Sequence, residues 1–398
     1  MPDKAVTDSD STMTPEVIRL SFTALLAAVA VFGFTLGISF PMLALALESF
    51  GLTNEMIGYN HAMTAFGILV SSFFLPGLTR RFGALKIMVV SVVMTATCFL
   101  LLGLVYDANA WYLIRFVLGM AINGLFLMSE TWINTIANDS NRGRYIGIYA
   151  TVLAASFAAG PLLVPILGFD TLKPFVVCSV IVSMALVPLW FARKIVPEIE
   201  AHPFGLDIFR YFFLIPTIMG AVLLIAFIDF AAFGLLPVYA VKHGFEKEIA
   251  TAMLSMAALG NVFLQLPIGW VSDRINRYTA LILTTTITLI ASLLVPYAID
   301  TSWLVWPLLF IWGGFAYGIF TIALGIIGQR FQGAALVSVN ATTAIVWGIG
   351  GIFGPPVGGV AMDVSGPDGL MWSVAGACIL FLILAIYRHP GALTRSSS

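Results

Sequence analysis

The chain has 398 residues, of which 60% are hydrophobic and only 10% are charged, and its mean hydropathy is +1.00. Because soluble domains carry about 25% charged residues, this composition excludes an ordinary soluble protein and indicates an integral membrane protein. The net charge of −1 gives no reason to expect a nucleic-acid partner. Cys98, Cys178 and Cys378 lie within apolar segments, which favours packed free thiols over disulfides.

The polar N-terminal segment, residues 1–18, is predicted to be a cytoplasmic tail. It contains Asp3, Asp8 and Asp10 and lacks the basic region and short apolar core of a signal peptide. The first apolar segment that follows is long enough to remain in the membrane as a spanning helix.

Apolar segments of 20 or more residues then recur along the whole chain, separated by short polar turns. A helix needs about 20 residues to cross a bilayer core of about 30 Å. The sequence therefore predicts an all-α membrane protein with twelve transmembrane helices, which we call spans 1 to 12. Their predicted ranges are 19–47, 56–79, 85–106, 111–137, 145–168, 174–193, 210–241, 249–271, 278–299, 303–328, 334–362 and 369–388.

The basic residues are distributed unevenly between the two sides of this arrangement. Of the 19 Lys and Arg residues, 15 fall in the tails and the even-numbered connections, whereas only Lys173, Lys242 and Lys247 fall in the odd-numbered ones. Lys and Arg are retained on the cytoplasmic side of membranes. We therefore predict that both termini are cytoplasmic, in the inner membrane of a bacterium.

The two halves of the chain share an internal repeat. Four residues of the first half recur at a constant offset of 193 residues (256 − 63). A repeat this long in a very apolar chain predicts a duplicated membrane bundle. The predicted domains are a six-helix bundle over 19–193, a cytoplasmic linker over 194–209, a second bundle over 210–389 and a cytoplasmic tail over 390–398. The paired landmarks are Met63 and Met256, Ala65 and Ala258, Gly67 and Gly260, and Arg81 and Arg274; Gly119 and Gly314 recur at nearly the same spacing.

The connection between spans 8 and 9 carries the most informative motif. Residues 269–277, GWVSDRINR, resemble the loop signature of the major facilitator superfamily, Gly-x-x-x-Asp-Arg-x-Gly-Arg, and depart from it at Asn276. The copy between spans 2 and 3 keeps Arg81 and Gly83 but has Pro76 and Arg80 in place of the leading glycine and the aspartate. This resemblance, which covers essentially the whole chain, implies two pseudo-symmetric six-helix bundles and a secondary transporter.

Two further motifs carry the same resemblance. Arg115 and Gly119 match the family's Arg-x-x-x-Gly motif in span 4, and residues 350–359, GGIFGPPVGG, look like the Gly-Pro motif of antiporters. That motif belongs in span 5, where this chain keeps only Gly160 and Pro161, so the support for export comes from span 11 alone. The combination of Glu130 in span 4 with residues 141–144 in the next connection resembles the pattern of a bacterial branch of the family, near the drug and sugar porters.

The family resemblance assigns a latch to the cytoplasmic loops. It places Asp273 against the start of span 5, near Arg144 and Tyr145, where the carboxylate accepts hydrogen bonds from Arg274 or Arg277 and from free helix amides. The alternative is a solvated loop charge that obeys the positive-inside rule. For Arg81 this alternative and the latch have about equal support.

Three charged residues within spans are candidates for proton coupling. An arginine in the middle of a span costs roughly 3 kcal/mol unless it faces a cavity or a partner, so Arg115 is either functional or extends to the outer surface. Asp229 and Glu130 are carboxylates in apolar sequence, and such groups can gain or lose a proton near neutral pH. Glu130 has the alternative of simple hydration near the cytoplasmic face. His61 is either a proton relay or a hydrogen-bonded structural histidine.

Several amides and aromatic residues within spans are candidates for a substrate cavity. Each amide can bind a solute or link helices, for about 0.6 kcal/mol, and each aromatic can stack on a solute or pack against lipid. The candidates are Asn123, Asn261, Gln265, Asn340, Phe34, Phe230 and Tyr317.

Taken together, these features predict a proton-coupled exporter of a small organic solute that works by alternating access. It is expected to be a monomer in the bilayer, not an enzyme, and to have no cofactor. Two alternatives are open: an importer of a small aromatic, vitamin-like nutrient, coupled or uncoupled, and a receptor or scaffold that transports nothing.

Overall fold

The computed structural model describes residues 15–136, 142–168, 171–193, 208–301 and 303–388. Within these ranges twelve helices are long and apolar enough to cross a membrane, which confirms the predicted number of spans. The predicted tail 1–18, apart from its last residues, and the tail 390–398 lie outside the described residues, as does most of the linker 194–209.

The first six spans form the N-terminal bundle. Spans 1 to 4 are the helices Pro15–Ser49, Asn54–Phe82, Ala84–Leu104 and Ala108–Ile136. Span 5 consists of Arg142–Ala159 and Val164–Leu167, joined by a 3₁₀ turn at Pro161–Leu163, and span 6 of Leu172–Ser183 and Leu186–Ala192.

The last six spans form the C-terminal bundle, entered through the short helix Ile208–Leu214. Spans 7 to 12 are Pro216–Lys242, Lys247–Ser272, Arg277–Ala298, Val305–Arg330, Gly333–Ser365 and Gly369–Tyr387. The predicted fold of two six-helix bundles is thus confirmed.

Successive spans run in opposite directions. The odd-numbered connections lie at one end of the molecule, which we call the far face; Phe50, for example, contacts Trp111 there with ring centroids 5.2 Å apart. Both ends of the described chain lie at the other end, which we call the terminus face. Large apolar side chains such as Leu266, Leu380 and Tyr297 are more than two-thirds exposed on the outer surface, as expected where helices meet lipid.

The glycines that revealed the internal repeat are the points of closest helix contact. A Cβ atom on Gly67 in span 2 would meet the carbonyl oxygen of Phe116 in span 4, and one on Gly260 in span 8 would meet that of Phe310 in span 10. Small residues allow helix backbones to approach this closely in membranes. The repeat therefore records the same packing of two helices in each bundle.

The Gly-Pro segments of spans 5 and 11 differ in structure. Span 5 loses regular helical geometry at Gly160 and continues through the 3₁₀ turn, since proline cannot donate the backbone hydrogen bond that the helix needs. Span 11 remains one helix across Pro355 and Pro356. Both segments meet neighbouring helices closely, because Gly160 packs on Gly37 of span 1 and Gly354 on Phe227 of span 7.

Candidate functional site

The contacts found between the two bundles run from the far face to the middle of the membrane. Span 2 packs along span 11, where Gly58 meets Pro355 at the far-face end and Leu69 meets Gly348 near the middle. Asp229, Thr321 and Gln265, which are described next, lie at the middle of the membrane or beyond it toward the terminus face. The molecule is therefore closed at the far face.

Asp229 lies in the middle of span 7 and accepts a hydrogen bond from the phenol of Tyr317 in span 10. Both side chains are partly exposed, although span 7 is buried over most of its length. Phe233, one helical turn from Asp229, contacts Phe157 of the N-terminal bundle at a ring distance of 5.1 Å. Residues four apart share a helix face, so Asp229 faces the space between the bundles.

Aromatic rings close this space on the side of the far face. Phe233 contacts Phe157 and also Tyr317, whose ring centroid lies 5.9 Å away. Phe230 is buried against Phe40 of span 1, with ring centroids 5.9 Å apart. Because span 7 runs from the terminus face to the far face, these rings separate Asp229 from the far face.

A chain of hydrogen bonds extends from Tyr317 toward the terminus face. Thr321, one turn beyond Tyr317 on span 10, donates to Oε1 of Gln265 in span 8 at 3.0 Å. Gln265 in turn donates from Nε2 to Oδ1 of Asn261 at 2.6 Å. All three side chains are partly exposed, which makes this network a candidate for the C-terminal lining of a cavity between the bundles.

The other cavity candidates occupy different positions. Asn123 is buried and uses its amide nitrogen to contact span 2, with distances of 3.1 Å to the carbonyl of Ile68 and 2.9 Å to the hydroxyls of Ser71 and Ser72. This arrangement matches the helix-linking alternative. Asn340 is exposed on span 11, and Phe34 is partly buried on span 1.

Arg115 is enclosed between spans 2 and 4 and is only 1% exposed. Its Nε donates to Oγ1 of Thr64 at 3.1 Å, and its Nη1 has no hydrogen-bond partner among the described residues. The side chain therefore does not extend to the surface of the far face. Within the described part of the chain no carboxylate pairs with it.

Glu130 lies in the half of span 4 nearer the terminus face, and its side chain is exposed. It follows Ser129, whose hydroxyl is 3.0 Å from the buried hydroxyl of Tyr149 in span 5. Asp229 and Glu130 thus occupy opposite bundles.

His61 and Asn60 are fully buried in span 2, near the far face. The His61 ring stacks on Phe40, with centroids 5.5 Å apart, and packs on Gly234 of span 7. The side-chain amide of Asn60 has no hydrogen-bond partner among the described residues.

Of the residues predicted to form a latch, Asp273 and Arg277 contact each other within the C-terminal bundle. Asp273 accepts a hydrogen bond from Arg277, and Arg274 lies over the ring of Trp270, with its guanidinium carbon 3.2 Å from the ring centroid. On the other bundle, Tyr145 stacks on Phe22, while Arg81 and Arg144 are exposed. Asn141 lies outside the described residues. In this conformation the ion pair of Asp273 with Arg277 lies within the C-terminal bundle.

Three residues near the site escaped the sequence analysis. Thr64 and Thr321 were missed because threonines are common in apolar helices, and only their contacts with Arg115 and Gln265 mark them. Asp363, near the end of span 11, bonds to Asn54, 309 residues away in sequence. Because Asp363 directly follows the predicted range of span 11, 334–362, it looked like an ordinary loop charge, although the observed helix Gly333–Ser365 contains it.

Comparison with known proteins confirms the family that the sequence motifs resemble. The family model described as Major Facilitator Superfamily matches residues 25–346 and 254–398. The chain is 26% identical over 354 residues to a Bacillus subtilis protein named uncharacterized MFS-type transporter YfkF, covering 87% of this chain and 89% of that protein. It is 21% identical over 328 residues to the uncharacterized MFS-type transporter YcaD of Salmonella arizonae, covering 82% and 84%.

Solved structures share the fold at low sequence identity. A bacterial homologue of the human lysosomal transporter Spinster, in an inward-facing and unoccupied conformation, superposes with a TM-score of 0.75 at 14% identity, covering 94% of this chain and 96% of that one. The nucleoside transporter NupG superposes with a TM-score of 0.71 at 14% identity, covering 93% and 98%. At these identities the likeness shows the fold alone.

Proposed function

The chain belongs to the major facilitator superfamily and is a membrane transporter rather than an enzyme, and from that premise we propose that it is a proton-coupled exporter of a small organic solute. The observation that carries this proposal is the Asp229 carboxylate, which lies in the middle of span 7, is bonded by Tyr317 and faces the space between the bundles. A carboxylate at membrane depth is costly and is retained where it serves a pathway for ions or substrate.

In the proposed cycle, Asp229 exchanges a proton and the solute binds beside it. Tyr317, Gln265 and Asn261 supply hydrogen bonds from the C-terminal bundle, and Phe230 and Phe34 supply apolar contacts. Glu130 is the second protonation candidate and Arg115 the charge partner. Both bundles rock about this midplane site. Asn340 is a further candidate for a solute contact, whereas Asn123 is expected to link spans 2 and 4.

We also propose an orientation and a location. The excess of Lys and Arg in the tails and even-numbered connections assigns the terminus face to the cytoplasm. The protein would then lie in a bacterial inner membrane, as a monomer, with residues 1–18, 194–209 and 390–398 in the cytoplasm. Asp273, Arg274, Arg277 and Arg81 would close the cytoplasmic side when the far face opens. Export is favoured by the Gly-Pro segment of span 11, and import of a small nutrient is the second candidate.

The test is proton flux in liposomes that contain the purified protein and an internal pH dye. Pools of small organic solutes are added, and a pool that moves protons identifies the solute by subdivision. We expect Asp229→Asn to abolish the dye signal, whereas Asp300→Asn, which changes an exposed carboxylate at the far face, leaves it intact.

Two outcomes would contradict the proposal. If solutes cross and the dye reports no proton movement in any pool, the protein is a uniporter. If Asp229→Asn retains full coupling, the proton site lies elsewhere. The sign of the dye response distinguishes export from import, because solute entry acidifies the lumen in a proton symporter and alkalinises it in a proton antiporter.

A further inference from the structure

The carboxylate of Asp363 joins the two bundles at the far face. Oδ1 of Asp363, in the last turns of span 11, accepts hydrogen bonds from the backbone nitrogen of Asn54 at 3.1 Å and from its side-chain nitrogen at 2.6 Å. Oδ2 accepts from the backbone nitrogen of Glu55 at 2.8 Å. Both oxygens of one residue of the C-terminal bundle therefore bind the start of span 2 in the N-terminal bundle.

These contacts satisfy a specific need of span 2. The first backbone N–H groups of a helix have no partner within the helix, and they form its positive end, where a carboxylate is favourable. Thr53, the residue before the helix, accepts from the backbone nitrogen of Met56 at 3.3 Å. The other two of these backbone N–H groups, those of Asn54 and Glu55, donate to Asp363. Part of the cap of span 2 is therefore supplied by the opposite bundle.

Glycines bring the carboxylate within reach. Gly359 lies one helical turn before Asp363 on the same face of span 11, and a Cβ atom there would meet the carbonyl oxygen of Asn54. Gly58, one turn into span 2, packs in the same way on the backbone of Pro355. The two helices thus touch backbone to backbone at this point, which a larger residue would prevent.

We propose that Asp363 is the latch that holds the far face closed and that separates from the start of span 2 when this face opens. Closure there buries the side-chain amide of Asn60 without hydrogen-bond partners among the described residues, and burial of such a group is unfavourable. The three bonds of Asp363 offset this cost. Since Asp363 is itself exposed, water replaces its partners on opening, and the latch remains reversible.

This role rests on the transport cycle proposed above, but it is tested without transport. Spin labels are attached to cysteines that replace Asn109 and Thr301, which are exposed at the far face of the N-terminal and C-terminal bundles. The native cysteines are buried and can be removed from the background if they react. Double electron–electron resonance then reports the distance between the bundles at the far face.

We expect Asp363→Asn to shift the distribution toward longer distances, raising the ratio of open to closed molecules by about 5- to 30-fold. Gly359→Ala is the positive control, because its added methyl group pushes span 2 away. The matched control is Asp368→Asn, which changes a carboxylate of the same face whose partners among the described residues are Tyr239 and His243 of its own bundle. This control is expected to keep the distribution of the unmodified chain.

Two results would overturn the latch. The first is an unchanged distribution for Asp363→Asn in an assay where Gly359→Ala shifts it. The second is an equal shift for Asp363→Asn and Asp368→Asn, since the effect would then be one of general surface charge. A failed latch leaves the proton-flux result untouched, and a silent flux assay leaves the distances valid, so the two proposals fail separately.

Discussion

Tyr317 donates a hydrogen bond to Asp229 across spans 10 and 7, at the level where the aromatic contact of Phe233 with Phe157 closes the space between the bundles. One phenol is thus bonded to the acidic group and also contacts the aromatic closure. Tyr317 is therefore the direct physical contact between Asp229 and this closure.

The first prediction concerns this phenol. Tyr317→Phe keeps the ring that contacts Phe233 and removes only the donor to Asp229. Hydrogen bonds to charged groups contribute about 1.5–3 kcal/mol, and about 1.4 kcal/mol corresponds to a factor of ten. We expect coupled transport to fall by about tenfold to hundredfold in the liposome assay, while Tyr297→Phe, on an exposed side chain, has no effect. Equal activity of both variants would contradict a role for the Tyr317 hydroxyl.

The fold could be predicted from the sequence because its signals are local. Each apolar segment is a property of about 20 neighbouring residues, and Gly67 and Gly260 recur because each bundle repeats one helix contact. The sequence predicts that span 1 begins at residue 19, whereas the helix begins at Pro15. The flanking polar sequence does not prevent helix formation, and proline is well suited to a first helical position.

The site was less accessible to sequence analysis because its contacts join distant residues. Asp229 stood out as a carboxylate in an apolar span, but nothing in the sequence selects Tyr317, 88 residues later, as its donor. Asn123 and Gln265 look alike in sequence, yet one links spans 2 and 4 and the other belongs to the partly exposed network. Which face of its helix each amide occupies depends on how the helices pack, and packing cannot be inferred from hydropathy.

The second prediction separates these two amides. Asn123→Ala removes the contacts with Ile68, Ser71 and Ser72, and interhelical bonds in membranes contribute about 0.6 kcal/mol each. We expect a free energy of unfolding lower by about 1–2 kcal/mol, measured by thermal unfolding in detergent, and an unchanged KM for the solute. Gln265→Ala is expected to raise KM instead. A raised KM for Asn123→Ala would show that this amide contacts the solute after all.

The third prediction concerns close helix packing. Gly67→Ala places a methyl group against the backbone of Phe116, and overpacking of this kind costs about 1–3 kcal/mol. We expect a lower Tm in detergent. Gly77→Ala, in the same helix but with no atom within 4 Å of the added carbon, should keep or raise the Tm, because alanine favours helix by up to about 1 kcal/mol over glycine. Equal Tm changes in the two variants would contradict the packing role of Gly67.

The fourth prediction concerns two carboxylates at opposite faces of the molecule, Asp273 and Asp363, whose substitutions should have opposite effects. Asp273 is exposed and paired only within its own bundle while the far face is closed, so its proposed partners at the start of span 5 are engaged when the far face opens. Asp273→Asn should therefore shift the Asn109–Thr301 distance distribution toward the closed far face, the reverse of Asp363→Asn.

Because Asp273 and Asp363 lie at opposite faces and share no partner, their effects should add. The double variant is then expected to return close to the distribution of the unmodified chain. Arg388→Gln, which neutralises another exposed charge of the terminus face, serves as the control and should leave the distances unchanged. If Asp273→Asn opens the far face, or if the double variant opens it as far as Asp363→Asn alone, then Asp273 does not oppose the far-face latch, and its pairing with Arg277 is only a surface ion pair.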